Sequence, residues 1–149
     1  MNLNIFEALR ISHTLQRALA DQLTATSGDT PERQRLFRDL CQELAAHETA
    51  EERCFYMPLM GHDAAVDTAR HGIAEHHEMD EMVEELAELD MSSPTWLAKA
   101  RALQRKLNHH LDEEEQKFFQ LGGKVLSAAQ KKALAKEYEA EFTTQRVHA

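Results

Sequence analysis

His47-Glu48-Thr49-Ala50-Glu51-Glu52-Arg53-Cys54-Phe55-Tyr56 and His110-Leu111-Asp112-Glu113-Glu114-Glu115-Gln116-Lys117-Phe118-Phe119 are two copies of one pattern, His-x-x-x-Glu-Glu-x-x-aromatic-aromatic. On a helix, positions i and i+4 share a face and lie about 6 Å apart. Each copy therefore presents an imidazole and a carboxylate to the same point. Those are two of the ligand types that a divalent transition metal takes from protein. Two such pairs on two helices of one small domain suggest a site for more than one metal.

The rest of the chain is built to carry helices. Its 149 residues fit one domain with a proper core, and glycine (5) and proline (3) are scarce. Alanine, leucine, glutamate, lysine, glutamine and arginine dominate, a helical composition. Net charge is −9, which disfavours nucleic acid and anionic membranes as partners. Cys41 and Cys54 match no zinc or thioredoxin-like spacing. They fall about 20 Å apart along one helix, so they cannot pair. Reduced thiols, no visible signal peptide and no apolar run of membrane-spanning length point to a cytoplasmic protein.

Helical periodicity predicts a first helix from about Leu3 to Ala25. Thr30 caps a second, with Pro31 at its first position; Pro58 and Gly61 end it. Asp63 caps a third, which runs to about Asp90. Ser92-Ser93-Pro94 opens a fourth, ended by Gly122-Gly123 near Leu121. Ser127 opens a fifth over about 127–147, expected to pack across the outside. No segment alternates with period two. The expected fold is all-α: an up-down-up-down four-helix bundle over about 3–121 with an additional C-terminal helix, as one domain over 1–149. The repeated motif suggests a duplicated helical hairpin.

In such a bundle His13, His47, His76 and His110 fall near one level, one per helix. His13 shares a face with Leu9, Gln16, Ala20 and Leu23; His47 with Leu40, Leu44 and Glu51; His76 with Met79, Val83 and Leu86; His110 with Leu103, Leu107 and Glu114. Neighbouring His77 and His109 align with charged residues and face water, although a small rotation of the third helix would exchange His76 for His77. Burying unpaired carboxylates or charged imidazoles costs several kcal/mol each. Four histidines with Glu51 and Glu114 in one core need neutralising, either by a closed His–Glu hydrogen-bond network or by two divalent metals. The converging ligand types favour metals.

Other metal and catalytic patterns do not fit. The zinc-protease motif needs a second histidine where Glu51 stands. Ferritin-like bundles use Glu-x-x-His, but Arg10, Leu44, Ile73 and Leu107 precede these histidines by three. No nucleophile stands beside a base, and no phosphate loop is present.

At His13, His47-x-x-x-Glu51-Glu52, Glu75-His76 and His110-x-x-x-Glu114-Glu115, in this order and spacing, the chain resembles the hemerythrin-like (HHE cation-binding) family over about residues 3–121. The resemblance implies a non-haem centre of two Fe ions with an oxo or hydroxo bridge. Glu51 and Glu114 would be the bridging carboxylates, and His13, His47, His76 and His110 the terminal ligands. Oxygen-carrying members have a His-x-x-x-His on the third helix; here the first position is Gly72. They also use aspartate one residue later than Glu114. Some members use a glutamate beside the second-helix histidine, here Glu48, as a further ligand. His71 and His62 are further candidate ligands, each reading first as a surface residue, and water is the other way to complete the site. Phe55 and Phe118 read as core that keeps the site dry; Tyr56 reads first as core and second as a neighbour of the metals.

The function expected from this reading is binding of, or reaction with, O2, NO or peroxide. Alternatives are iron storage, sensing or donation, a metal-responsive regulatory interaction module, and a metal-free helical adaptor. Zn or Mn would also suit nitrogen and oxygen ligands of this kind.

Overall fold

The computed structural model describes residues 2–148, which form helices joined by short loops, with no strand among them. α1 spans Ile5–Thr24, α2 Pro31–Glu51, α3 Met57–Met60, α4 Val66–Glu88, α5 Pro94–Glu113, α6 Phe119–Val125 and α7 Ala128–His148. Two five-residue π-helical segments, Glu52–Tyr56 and Glu114–Phe118, join α2 to α3 and α5 to α6 without a break. The four long helical runs form the bundle expected from the sequence, and α7 is the additional helix.

The starts are set by local chemistry. Asn4 and Glu7 make a reciprocal capping box at α1. Thr30 accepts from the Arg33 N–H and Ser93 from the Trp96 N–H, each with proline at the first helical position. Ser127 and Gln130 exchange backbone–side-chain hydrogen bonds before α7.

Several expected boundaries differ. Asp63 makes no cap; a short 3-10 turn over Asp63–Ala65 precedes α4. Pro58 follows the π turn inside one continuous helical run and does not end it; the run stops at Gly61. Gly122 and Gly123 lie inside α6. At Gly122 a Cβ would come within 3.1 Å of Phe55 and 3.2 Å of Phe6, so close helix packing, not termination, selects glycine there. α7, expected to pack across the outside of the bundle, lies along α1 and α2 and buries Ala135 and Tyr138.

The core is divided by a polar layer. On one side Ile5, Leu9, Phe55, Tyr56, Leu59, Phe118 and Phe119 pack together; on the other Leu23, Leu36, Leu40, Met79, Leu86, Trp96 and Leu107 do. Between them lie buried His13, His47, Glu51, His76, His110 and Glu114.

The far end is locked by Arg33, which is 2% exposed. Its guanidinium donates to the carbonyls of Thr26 and Met91 and to Thr26 Oγ1, and lies 4.8 Å from the Trp96 ring centroid. It ties two loops to one aromatic. Arg33→Met should leave those carbonyls unpaired and lower unfolding free energy by about 2–4 kcal/mol, since each buried orphan costs about 1–3 kcal/mol. Urea unfolding of the variant checks this; an unchanged midpoint would contradict it.

Candidate metal centre

The repeated motif generates both halves of the centre. α2 and α5 each bring a histidine and the glutamate four residues later to one face, with His47 Nε2 3.4 Å from Glu51 Oε1 and His110 Nε2 3.6 Å from Glu114 Oε2. α1 and α4 add the other two imidazoles. His13 Nε2 lies 3.0 Å from Glu114 Oε1, and His76 Nε2 lies 3.1 Å from Glu51 Oε1. His13, His47, Glu51 and Glu114 form one converging set; His76, His110, Glu51 and Glu114 form the other. Within each set the donor atoms lie within 4.8 Å of one another, and every residue is buried. The two carboxylates belong to both.

The imidazole orientation is fixed from behind. Each Nδ1 has a partner: Glu115 Oε2 for His13 at 2.7 Å, Tyr138 Oη for His47 at 2.7 Å, Glu52 Oε2 for His76 at 2.8 Å and Glu75 Oε1 for His110 at 2.8 Å. Each Nε2 has no hydrogen-bond partner, nor do both oxygens of Glu51 or Oε1 of Glu114. The short Nε2–carboxylate approaches are thus contacts without hydrogen-bond alignment. A closed His–Glu network, the alternative to metal, is not what these atoms make. Imidazoles held through Nδ1 with Nε2 turned to a common point are the arrangement a metal ligand set requires. The donors are nitrogen and carboxylate oxygen, which suit iron, zinc or manganese.

The two halves match pair by pair, even to the 5.0 Å ring separations of His13–His47 and His76–His110. They differ in two places. Tyr56 donates its phenol proton to Glu114 Oε2, whereas the corresponding position of the second motif is Phe119, which stacks on His13. His47 is backed by a tyrosine from α7, whereas its counterpart His110 is backed by a carboxylate. Tyr56 also lies over His76, with ring centroids 5.3 Å apart.

The sequence underrated Tyr56 because a regular helix does not turn it toward Glu114. The π turn does. Such wide turns are rare and concentrate at functional sites. Their trace in the sequence is an inward spacing of five, Glu51 to Tyr56 and Glu114 to Phe119, beside consecutive buried aromatics. Glu115, Glu52, Glu75 and Tyr138 were not singled out as partners, since only tertiary packing pairs them with histidines.

Glu48 is buried and its Oε1 likewise has no hydrogen-bond partner, although it does not belong to either of the two converging sets. Burial, with Asp80 and Glu52 beside it, pushes its carboxyl well above the usual range. His77 and His109 face solvent, as expected. His71, also exposed, joins Glu75 and Glu113 in a surface group, its Nε2 2.8 Å from Glu113 Oε1. Cys41 and Cys54 are free thiols; burial pushes them up to about 12 and about 11, so neither offers a thiolate.

Without a cation the centre holds protons in its place. Burial alone would lower His13, but Glu114 and Glu115 outweigh it and raise the imidazole to about 9. His76 is likewise carried well above its usual value by Glu51 and Glu52 against burial. Burial holds His47 down at about 4. Burial and the charge of Glu51 push Glu114 up to about 7.

Known proteins place this site in a family. The sequence profile of the hemerythrin HHE cation binding domain matches residues 4–121. A hemerythrin HHE cation binding domain-containing protein of Mycobacterium kansasii has the same fold, with a TM-score of 0.87 at 22% identity over 98% of this chain and 89% of that one. A DNA nickase of Nostoc sp. is 27% identical over 93% of this chain. This chain spans only 39% of that relative's length. No helix among the described residues is long and apolar enough to cross a membrane. With its motif repeated on α2 and α5 and a matching profile over most of its length, the chain belongs to the hemerythrin HHE cation-binding domain family.

Proposed function

We propose that this protein is a non-haem di-iron protein that binds or reacts with O2, NO or peroxide. The observation that carries the reading is the set of buried, unpartnered donor atoms: four imidazole Nε2 atoms aimed at the oxygens of Glu51 and Glu114. His13 and His47 would hold one iron, His76 and His110 the other, with Glu51 and Glu114 shared. Iron, when bound, supplies redox chemistry and affinity for small oxygen and nitrogen ligands.

The chain supplies the rest. Glu115, Glu52 and Glu75 accept from Nδ1 of His13, His76 and His110 and so keep a proton on that nitrogen, while Tyr138 orients the His47 ring. Phe55, Phe118 and Phe119 exclude water from the side toward α3 and α6. Tyr56 holds a proton on its phenol oxygen against Glu114, and burial next to Glu114 and Glu51 raises that phenol well above its usual value. Gly72 stands where oxygen carriers place a histidine, and Tyr56 occupies the space beside it. The centre therefore has a proton-bearing phenol where carriers have a nitrogen ligand, which favours reaction over reversible carriage. The name of the Nostoc relative describes action on DNA; a net charge of −9 disfavours a polyanion as partner of this chain.

Metal analysis with optical spectroscopy tests the assignment. Iron at both positions and a near-ultraviolet charge-transfer band are expected, with spectral change on adding O2, NO or peroxide; sustained peroxide consumption would identify an enzyme. A protein that takes up no iron, or that keeps full metal content in both His47→Ala and His110→Ala, sinks the reading.

Loading should also release protons. Below pH 6.5 a His13 raised from 6.5 to about 9 contributes its full stabilisation to the metal-free fold, and this is lost as pH rises through 9. A cation needs the neutral imidazole, so its apparent affinity should climb over that window. Adding ferrous ion to metal-free protein at pH 7 in weak buffer should acidify the solution, as His13 and His76 give up their protons. No acidification on stoichiometric uptake would contradict these assignments.

A further inference from the structure

A cavity of about 510 Å3 opens between α1, α2 and α7, away from the coordinating atoms. Its size is that of a small-molecule site. The mouth is apolar: Ile11 and Leu15 are 58% and 42% exposed, two of the four exposed large hydrophobics among the described residues, and Phe142 faces them from α7. The floor is polar and buried. Ser12 Oγ donates to Glu43 Oε2 at 2.7 Å, Gln16 donates to Ser12 at 3.0 Å, and Tyr138 closes the inner end. Tyr138 is the residue whose hydroxyl meets His47 Nδ1.

We infer that this cavity binds a small neutral aromatic molecule carrying a hydroxyl group, and that occupancy is felt at His47 through Tyr138. Chemistry limits the ligand. Leu15, Ile11 and Phe142 suit a flat apolar body. The floor is dominated by acceptors: each Glu43 oxygen takes one donor, from Ser12 or from Arg146 at 3.2 Å, and keeps a lone pair free. A ligand hydroxyl can donate there. An anionic head meets Glu43 and Glu139 against the single positive charge of Arg146, so a carboxylate or phosphate is disfavoured. Coupling follows from the hydrogen bond between Tyr138 Oη and His47 Nδ1: a ligand on the Tyr138 ring or hydroxyl shifts the group that orients His47, and a partner behind a ligating histidine tunes what that histidine holds. The coupling rests on the di-iron reading; the binding does not.

The probe is 4-ethylphenol, titrated calorimetrically into the protein as purified and into the metal-stripped protein. Saturable binding with one site is expected in both, at least tenfold tighter than for ethylbenzene, which lacks the hydroxyl. Leu15→Trp, which fills the mouth from an exposed position, should weaken binding at least tenfold while leaving the fold and metal content unchanged. In the iron-loaded protein, saturation should shift the charge-transfer band; Tyr138→Phe should keep binding within a few-fold and abolish that shift. Non-saturable binding, equal affinity for ethylbenzene, or undiminished binding in Leu15→Trp overturns the site. A saturated wild type with an unmoved band overturns the coupling. Concentration-dependent dimerisation that Leu15→Trp abolishes would assign the face to a second copy of the chain and overturn the ligand. Iron failing to bind at all would defeat the proposed function, while calorimetry on the stripped protein would still decide the cavity.

Discussion

Glu51→Gln should lose both cations at once. Gln keeps the volume of the side chain but lacks the charge, and Glu51 contributes to both converging sets. A histidine contributes to only one, so His13→Ala should lose about half the metal where Glu51→Gln loses nearly all of it. Stability follows by mass action: a cation present at 100–1,000 times its dissociation constant stabilises the native state by about 2.7–4.1 kcal/mol. The melting temperature of Glu51→Gln as purified should therefore fall below that of wild type as purified, and chelator should lower it no further. Elemental analysis with thermal melts in the presence and absence of chelator checks both statements. Full metal content in Glu51→Gln, with an unchanged melting curve, would show that the carboxylate is not shared.

Gly72→Ala should be destabilising, against the usual sign. In a helix interior alanine is ordinarily better than glycine by about 1 kcal/mol. At Gly72 a Cβ would fall 2.5 Å from Tyr56 Cζ, 2.6 Å from its hydroxyl and 2.8 Å from Cε2. Tyr56 is fully buried between Phe55, Phe118 and His76, and its hydroxyl is tied to Glu114, so the ring cannot swing aside. Overpacking of this kind costs about 1–3 kcal/mol. The same substitution made on a Tyr56→Leu background should recover the normal helix gain, because the clash is with the ring. The optical spectrum should change in Gly72→Ala even where the protein remains folded, since the displaced phenol is bonded to a shared carboxylate. Urea unfolding of the four proteins in this cycle decides it. A stabilised Gly72→Ala would mean that the glycine is a loss of a ligand and nothing more.

These two residues show how far the chain could be read before folding. Glu51 was legible because His47 precedes it by four, and helical geometry alone makes that pair converge. Gly72 was legible only as an absence, the place where a histidine is missing from an oxygen-carrier pattern. Its positive role, making room for Tyr56, depends on a π turn that shifts the phase of the helix after Glu51. Periodicity arguments assume 3.6 residues per turn, so they misplace whatever follows a wide turn. The same shift carried Phe119 onto His13. Helix ends were misread for a related reason: Gly122 and Pro58 carry strong breaker signals, but Gly122 is set by contact with Phe6 and Phe55, and Pro58 comes just after the wide turn, within a run that continues to Met60.

By itself the chain determined the class of fold, the level at which four imidazoles meet and the identity of two carboxylates, because those follow from spacing along single helices. Only the tertiary structure decided what stands behind each imidazole. Glu115 reaches His13 from 102 residues away and Tyr138 reaches His47 from 91. Side chains so distant in sequence meet through helix packing, and no local pattern encodes which rotation of a helix the packed core will select. That packing left Glu48 outside both sets and laid α7 against His47, while the π turn brought Tyr56 to Glu114.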